Sequence, residues 1–364
     1  MNALKAEIIR LIQDEGPLSI SRYMALCLGH PRHGYYMTRD PFGAEGDFTT
    51  APEISQMFGE LIGLWAGAVW RMMGEPASLR LVELGPGRGT LMADVLRAAR
   101  IVPGFREAVS VHLVEMSPVL RQVQARTLTS AAEPVWHDSI GTALDGPTIL
   151  LANEFLDALP LDQFVRAGDG WRERLVGINA ASDLAFGLSH APESALGVAA
   201  PEGSIFEQPT AALDVVTTVS GHLTEQGGAA LFIDYGSGRS GFGDTLQAVH
   251  RHRMVDPLAD PGEGDLTVHV DFERMAQAAR RAGAAAHGPA MQRDFLLALG
   301  LAERAQALCG RARPEQAEAI QAAFARLTAI GATEMGELFK VLALSDSRLP
   351  LLPGFDLHQM PEQG

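Results

Sequence analysis

The chain has 364 residues, 47% of them hydrophobic, and a formal net charge of −15, which suits one large domain with insertions or two domains. Such acidity argues against a general nucleic-acid binder, which would show a basic stripe, and an acidic surface favours a cationic partner. Cys27 and Cys309 lie far apart and form no Cys-x-x-Cys pair, so neither a thiolate metal site nor a disulfide framework is indicated, and a reducing compartment fits.

Leu4, Ile8, Leu11 and Ile12 follow helical spacing, with Glu7, Asp14 and Glu15 between and after them. That pattern is neither a secretory signal nor a transit peptide. No apolar run reaches the length of a membrane span, since the stretch from Ile54 to Trp70 contains Glu60 and several glycines. Gly16-Pro17 ends the first helix and Ser19 is placed to cap a second. A loop rich in Gly, Pro, His and Tyr then runs to about Thr49. In "TAPEISQMFGELIGLW", Thr50 and Glu53 have the spacing of a capping box for a third helix. Residues 1–75 are therefore expected to form a helical N-terminal region.

Residues 76–160 alternate short β-type runs with helical stretches, the pattern of a parallel sheet. Strands are expected at Leu79–Leu84, Ser110–Glu115, Pro134–His137 and Thr148–Ala152. A fifth, Ala229–Asp234, follows an insertion at about 161–210, in which "WRERLVGI" reads as one arm of a hairpin. Residues 76–300 form the expected core, and the Ala-rich stretch from about 301 predicts a helical C-terminal region, 301–364, packed on it. His30 with His33, and His250 with His252, have no credible third partner, so no metal is expected.

"LVELGPGRGTL" carries the first sharp motif. A strand ends at Leu84, a helix begins near Thr90, and Gly85, Gly87 and Gly89 lie in the turn, where glycine allows positive φ and close approach of a ligand. A dinucleotide fingerprint would need glycine at position 90. With Glu83 ahead of the first glycine, the Glu-x-Gly-x-Gly-x-Gly form resembles motif I of class I S-adenosylmethionine (SAM) methyltransferases. The bland alternative is a tight strand–helix turn. Glu115 ends the next strand, where a carboxylate can accept from both ribose hydroxyls of a nucleoside; it can equally cap the helix after Pro118. Asp138 is placed to meet an adenine amino group or to cap a helix. In "NEFLDALP", Asn153, Glu154 and Asp157 follow the fourth strand at the carboxyl edge where parallel sheets place ligands. Asn153 reads as a cofactor contact, with Glu154 and Asp157 as a catalytic pair that could fork onto a guanidinium. A helix cap by Asp157 is the alternative. The loop 29–50, with Asp47, Thr50 and Glu53, reads as a lid, and His269 of "HVDF" as facing the substrate, although Asp271 there could simply cap a helix.

The chain resembles the MidA-type SAM-dependent methyltransferases, whose mitochondrial members act in respiratory complex I assembly. The resemblance rests on "GHPRHGYYMTRDPFGAEGDFTTAPEISQMFGE", "ELGPGRGTLMAD", "NEFLDALP", "DLTVHVDF" and "MGELFKVL". It implies a Rossmann-like, mostly parallel sheet flanked by helices, SAM as cofactor, and a protein substrate presenting an arginine, such as a complex I subunit. Without a transit peptide, a bacterial, cytoplasmic relative is expected. Two other function classes stay open: an NAD- or FAD-dependent oxidoreductase, against which Thr90 weighs, and a non-catalytic assembly chaperone that keeps the fold. The oligomeric state is not legible.

Overall fold

The protein is described by a computed structural model over residues 2–41, 49–168 and 170–355. It divides into two compact units, a larger one made of Thr49–Leu156, Val215–Arg239 and Val270–Gly364, and a smaller one made of Met1–Phe48, Asp157–Asp214 and Ser240–His269. This division differs from three consecutive regions. The smaller unit gathers the first helices, the insertion and a later segment, whereas the helices after Thr50 belong with the sheet.

The larger unit is built on an eight-stranded sheet whose main path holds seven strands, β1 (Leu79–Leu84), β2 (Val109–Val114), β3 (Val135–His137), β4 (Thr148–Asn153), β5 (Gly228–Ser237), β6 (Ala285–Met291) and β7 (Phe339–Ser345), while the short strand Val270–Asp271 pairs parallel with the end of β5. Their order is β3-β2-β1-β4-β5-β7-β6. The first five run parallel, while β7 is antiparallel to both of its neighbours. The central strands are buried at nearly every position, as expected of a parallel sheet covered on both faces, and so are rich in apolar residues. In register, Leu84 of β1 lies opposite Val114 of β2 and Ala152 of β4, which ends these strands side by side. The helix Gln56–Met72 packs closely on the helix Thr90–Ala99: a Cβ on Gly59 would lie 2.5 Å from Asp94 Cβ, and one on Gly63 2.7 Å from the Val95 carbonyl. Phe58, Trp65, Leu91, Val95, Leu151 and Leu231 share the core.

The C-terminal part departs from the all-helical expectation. Helices occupy Leu301–Cys309, Pro314–Thr328 and Met335–Leu338, but "FKVLALS" is β7, paired between β5 and β6. An apolar run of this length is ambiguous between helix and strand until a sheet offers it two edges.

In the smaller unit, helices Ala3–Glu15 and Ile20–Gly29 bury Leu4, Ile8, Ile12, Tyr23 and Met24. They share a core with Val176 and Leu184 of an antiparallel sheet. Its strands Asp162–Ala167, Gly170–Ile178 and Leu184–Leu188 form successive antiparallel pairs, so "WRERLVGI" is a hairpin arm. Within the stretch expected to be a lid, Tyr35–Thr38 is a short helix with Tyr35 fully buried, and the Tyr36 hydroxyl donates to both Asp265 carboxylate oxygens at 2.8 Å. Among the described residues of either unit, no helix is long and apolar enough to cross a membrane.

Candidate active site

Within the larger unit, strand order reverses between β1 and β4, and in open α/β sheets ligands bind beyond the carboxyl ends of the strands at such a point. After β1, Gly85, Gly87 and Gly89 have φ of 57°, 53° and 81°, in the left-handed region that favours glycine. A Cβ on Gly85 would sit 2.8 Å from Phe155 Cδ2, so this glycine also admits the loop after β4. Gly89 then starts the helix Thr90–Ala99. The Thr90 hydroxyl donates to Glu53 Oε1 at 2.5 Å, and Arg88 lies 3.9 Å from Glu53 Oε2. Glu53 thus ties the glycine loop to the short helix Ala51–Ile54. The expected capping box is absent: Thr50 makes no side-chain cap, and the long helix begins after Ser55, whose hydroxyl accepts from Met57 N at 3.2 Å. Glu83 is buried in β1; its Oε2 has no hydrogen-bond partner among the described residues, and burial pushes its carboxyl up to about 8.

After β2, the buried Glu115 accepts from Ser117 N at 2.7 Å and from Gln124 Nε2 at 3.1 Å. Burial raises its pKa, and these donors and Arg121 pull the other way. The cap of the helix Pro118–Leu128 is made by Ser117, which accepts from Leu120 N at 3.3 Å, so Glu115 serves the turn before it rather than the helix itself. Asp138, after β3, is exposed and paired with Arg121 at 2.6 Å; it caps no helix. Gln124 and its partner Trp136 are absent from the sequence-based set of site residues.

After β4 the chain turns sharply. Glu154 has φ 50°, rare for a residue with a side chain and costing about 1–2 kcal/mol. Its N–H donates to the Ile233 carbonyl at 2.8 Å, and its Oε1 accepts from Ala51 N at 3.2 Å and from Asn153 Nδ2 at 3.0 Å. Asn153 Oδ1 is buried with no partner among the described residues. Asp234, inside β5, holds the turn: its Oδ2 accepts from the N–H groups of Phe155 and Leu156 at 3.1 and 2.9 Å. No helix begins in "NEFLDALP", so Asp157 caps none. Asp157 belongs to the smaller unit, where it is buried and its carbonyl accepts from Val268 N at 3.0 Å. His269 is in the same unit, half-buried, its N–H donating to Thr245 Oγ1 at 3.0 Å. Asp271 caps the helix Phe272–Arg281, accepting from Arg274 N. Asp47 lies outside the described residues.

The larger unit therefore brings Glu83, Gly85, Gly87, Gly89, Glu115, Asn153, Glu154, Thr50 and Glu53 to one edge of its sheet. These residues fit SAM. A glycine-floored loop leaves room against the backbone, Glu115 offers a carboxylate, and the unpartnered buried oxygens of Glu83 and Asn153 are acceptors suited to the cofactor's hydroxyl and ammonium donors.

Residues 61–290 match the family described as "Putative S-adenosyl-L-methionine-dependent methyltransferase". The chain belongs to this family. As a SAM-dependent methyltransferase it is 35% identical to the Drosophila melanogaster "Protein arginine methyltransferase NDUFAF7 homolog, mitochondrial", over 94% of this chain and 84% of that protein. It is 36% identical to the Danio rerio "Protein arginine methyltransferase NDUFAF7, mitochondrial", over 92% and 85%. Among solved structures, a Burkholderia thailandensis protein described as a "likely methyl transferase" and bound to S-adenosyl-homocysteine is 30% identical, with a TM-score of 0.84 over 98% of this chain and 96% of that one. Family membership removes the nicotinamide and flavin alternative. In this methyltransferase, Thr90 occupies the position of the missing glycine and uses its hydroxyl to bind Glu53.

Proposed function

We propose that this SAM-dependent methyltransferase N-methylates an arginine side chain of a protein, and that the acceptor is a subunit of a proton-pumping NADH dehydrogenase in a bacterial cytoplasm. The observation that carries the reading is Glu154, a carboxylate held in a strained turn immediately beyond β4, next to the residue that packs on Gly85. Support for arginine comes from the relatives, whose names are protein arginine methyltransferases and which match over most of both chains.

SAM supplies a methyl group already activated on a sulfonium, so the protein's task is positioning. Gly85, Gly87, Gly89, Glu115 and Asn153 would hold the cofactor, with Glu83 on the strand that leads into the loop. A guanidinium is a poor nucleophile, its charge delocalised and its pKa above about 12. Glu154 would accept a hydrogen bond from it, orient one ω-nitrogen, and take the proton that this nitrogen loses as the methyl's bond to nitrogen forms and its bond to sulfur breaks, leaving S-adenosyl-homocysteine. Ala51 N and Asn153 Nδ2 keep the carboxylate in place. Asp157, expected as a second acid, is tested separately by Asp157→Asn.

The test is mass spectrometry of the NADH dehydrogenase subunits from cells with and without this protein, and from cells carrying Glu154→Gln. Methylated arginine that disappears in both the deletion and the variant supports the reading. Arginine methylation that is unchanged on deletion overturns it and favours the non-catalytic chaperone.

A further inference from the structure

Gln124 lies on the helix Pro118–Leu128, at a spacing of four from Leu120 and Leu128, on the stripe that faces the core. It is fully buried, an uncommon place for a primary amide unless its bonding is satisfied. Nε2 donates to the Gly87 carbonyl at 2.8 Å and to Glu115 Oε2 at 3.1 Å, and Oε1 accepts from Trp136 Nε1 at 2.8 Å. These partners dictate the amide's orientation. An indole N–H can only donate and a carbonyl can only accept, so the oxygen must face Trp136 and the nitrogen must face Gly87 and Glu115. One side chain thereby joins the glycine loop after β1 to the acid after β2.

We infer that Gln124 is a positioning residue for the methyltransferase, a clamp that holds the glycine loop and the Glu115 carboxylate in the arrangement SAM needs. The inference rests on assigning the cofactor to this loop. Fixing the Gly87 carbonyl fixes the plane of the following peptide, because that peptide is rigid. This sits at a glycine, which has no Cβ to restrict its backbone and is found here at φ 53°. Donating to Glu115 Oε2 favours its carboxylate form against burial and, with Ser117 N on Oε1, fixes the orientation of the carboxylate. Few other residue types do this. Glutamate at 124 could accept from Trp136 but would face the Gly87 carbonyl and the Glu115 carboxylate with acceptors only. Methionine of similar length would remove the hydrogen bonds to the Gly87 carbonyl, to Glu115 Oε2 and from the Trp136 indole.

Calorimetry with S-adenosyl-homocysteine on the full chain tests the clamp, alongside tryptophan emission and melting temperature. Gln124→Met weakens binding roughly ten- to hundredfold, the range expected for losing a hydrogen bond to a charged group and loosening the loop. Trp136→Phe loses the same indole bond but keeps both donors on Gly87 and Glu115, so its affinity stays within about threefold of wild type. The tryptophan emission change on ligand addition shrinks in Gln124→Met at saturating ligand, because Trp136 senses the site through the amide. Gln124→Glu serves if the methionine variant folds poorly, and it too weakens binding by at least about tenfold. Tight wild-type binding retained within threefold in both Gln124 variants overturns the clamp alone. A wild-type protein that does not bind S-adenosyl-homocysteine overturns the cofactor assignment and the clamp with it.

Discussion

Glu154→Gln separates chemistry from architecture because glutamine is nearly isosteric with glutamate and keeps an oxygen for the donors that Glu154 Oε1 accepts from. Ala51 N and Asn153 Nδ2 donate to Glu154 Oε1, so the glutamine oxygen is expected to face them. The two structural hydrogen bonds survive in neutral form. Their weakening costs on the order of 1 kcal/mol, and the strained backbone at φ 50° is unchanged. The function changes far more. An NH2 cannot accept a proton from a guanidinium and cannot offset its positive charge. Loss of a positioned base together with that electrostatic stabilisation lowers turnover by about 10²–10⁴, or roughly 3–5 kcal/mol of barrier. Methylation of the acceptor subunit, measured by transfer of labelled methyl and located by mass spectrometry, should fall by that factor, while S-adenosyl-homocysteine affinity stays within about threefold. Asp157→Asn run in parallel shows whether one acid or two is needed. A Glu154→Gln protein that binds the cofactor and methylates near the wild-type rate would refute the role assigned to this carboxylate.

Gly87→Val places a β-branched residue at φ 53°, a cost of about 1–2 kcal/mol or more, and adds bulk where the cofactor meets the backbone. Circular dichroism should be nearly unchanged while calorimetry shows no binding of S-adenosyl-homocysteine; wild-type affinity would sink the loop assignment. Glu83, raised to about 8 by burial, contributes stability that is complete below its unfolded value near 4.3 and is lost as pH rises through about 8. The ligand-free protein should therefore lose melting temperature between pH 7 and 9 more steeply than Glu83→Gln does, and equal slopes would contradict this. Asp234→Ala orphans the N–H groups of Phe155 and Leu156, at about 1–3 kcal/mol each, so urea midpoints should drop and methylation with them. An unchanged midpoint would show that the turn is held by other contacts.

Much of the catalytic unit was legible from local pattern. Apolar runs ending in glycines or acids marked β1, β2, β4 and β5 to within a residue or three at either end, because a strand buried on both faces has few other solutions. The three glycines of the loop after β1 announced a backbone that only glycine adopts without strain. Glu115 and Asn153 were visible because acids and amides directly after buried strands stand out. Asp234 carries the same signal at the end of "ALFID" but reads in sequence only as the end of a strand, since its partners, the N–H groups of Phe155 and Leu156, are distant along the chain.

Tertiary structure decided the rest. Thr50 and Glu53 had the spacing of a capping box, yet a hydroxyl on another helix competes for the Glu53 carboxylate and wins. "FKVLALS" became a strand because β5 and β6 each left an edge to pair, a condition no local window contains. The smaller unit draws on three separate segments, since burial of an apolar face is satisfied by whichever elements the chain can bring together. Gln124 is half visible as a polar residue on an apolar stripe, but its purpose depends on Gly87, Glu115 and Trp136, brought to it from two turns and a strand. Sequence by itself determined which residue types can hold a nucleoside and an activated methyl. The fold determined which of their neighbours hold them still, because hydrogen-bond partners are selected by distance in space and not along the chain.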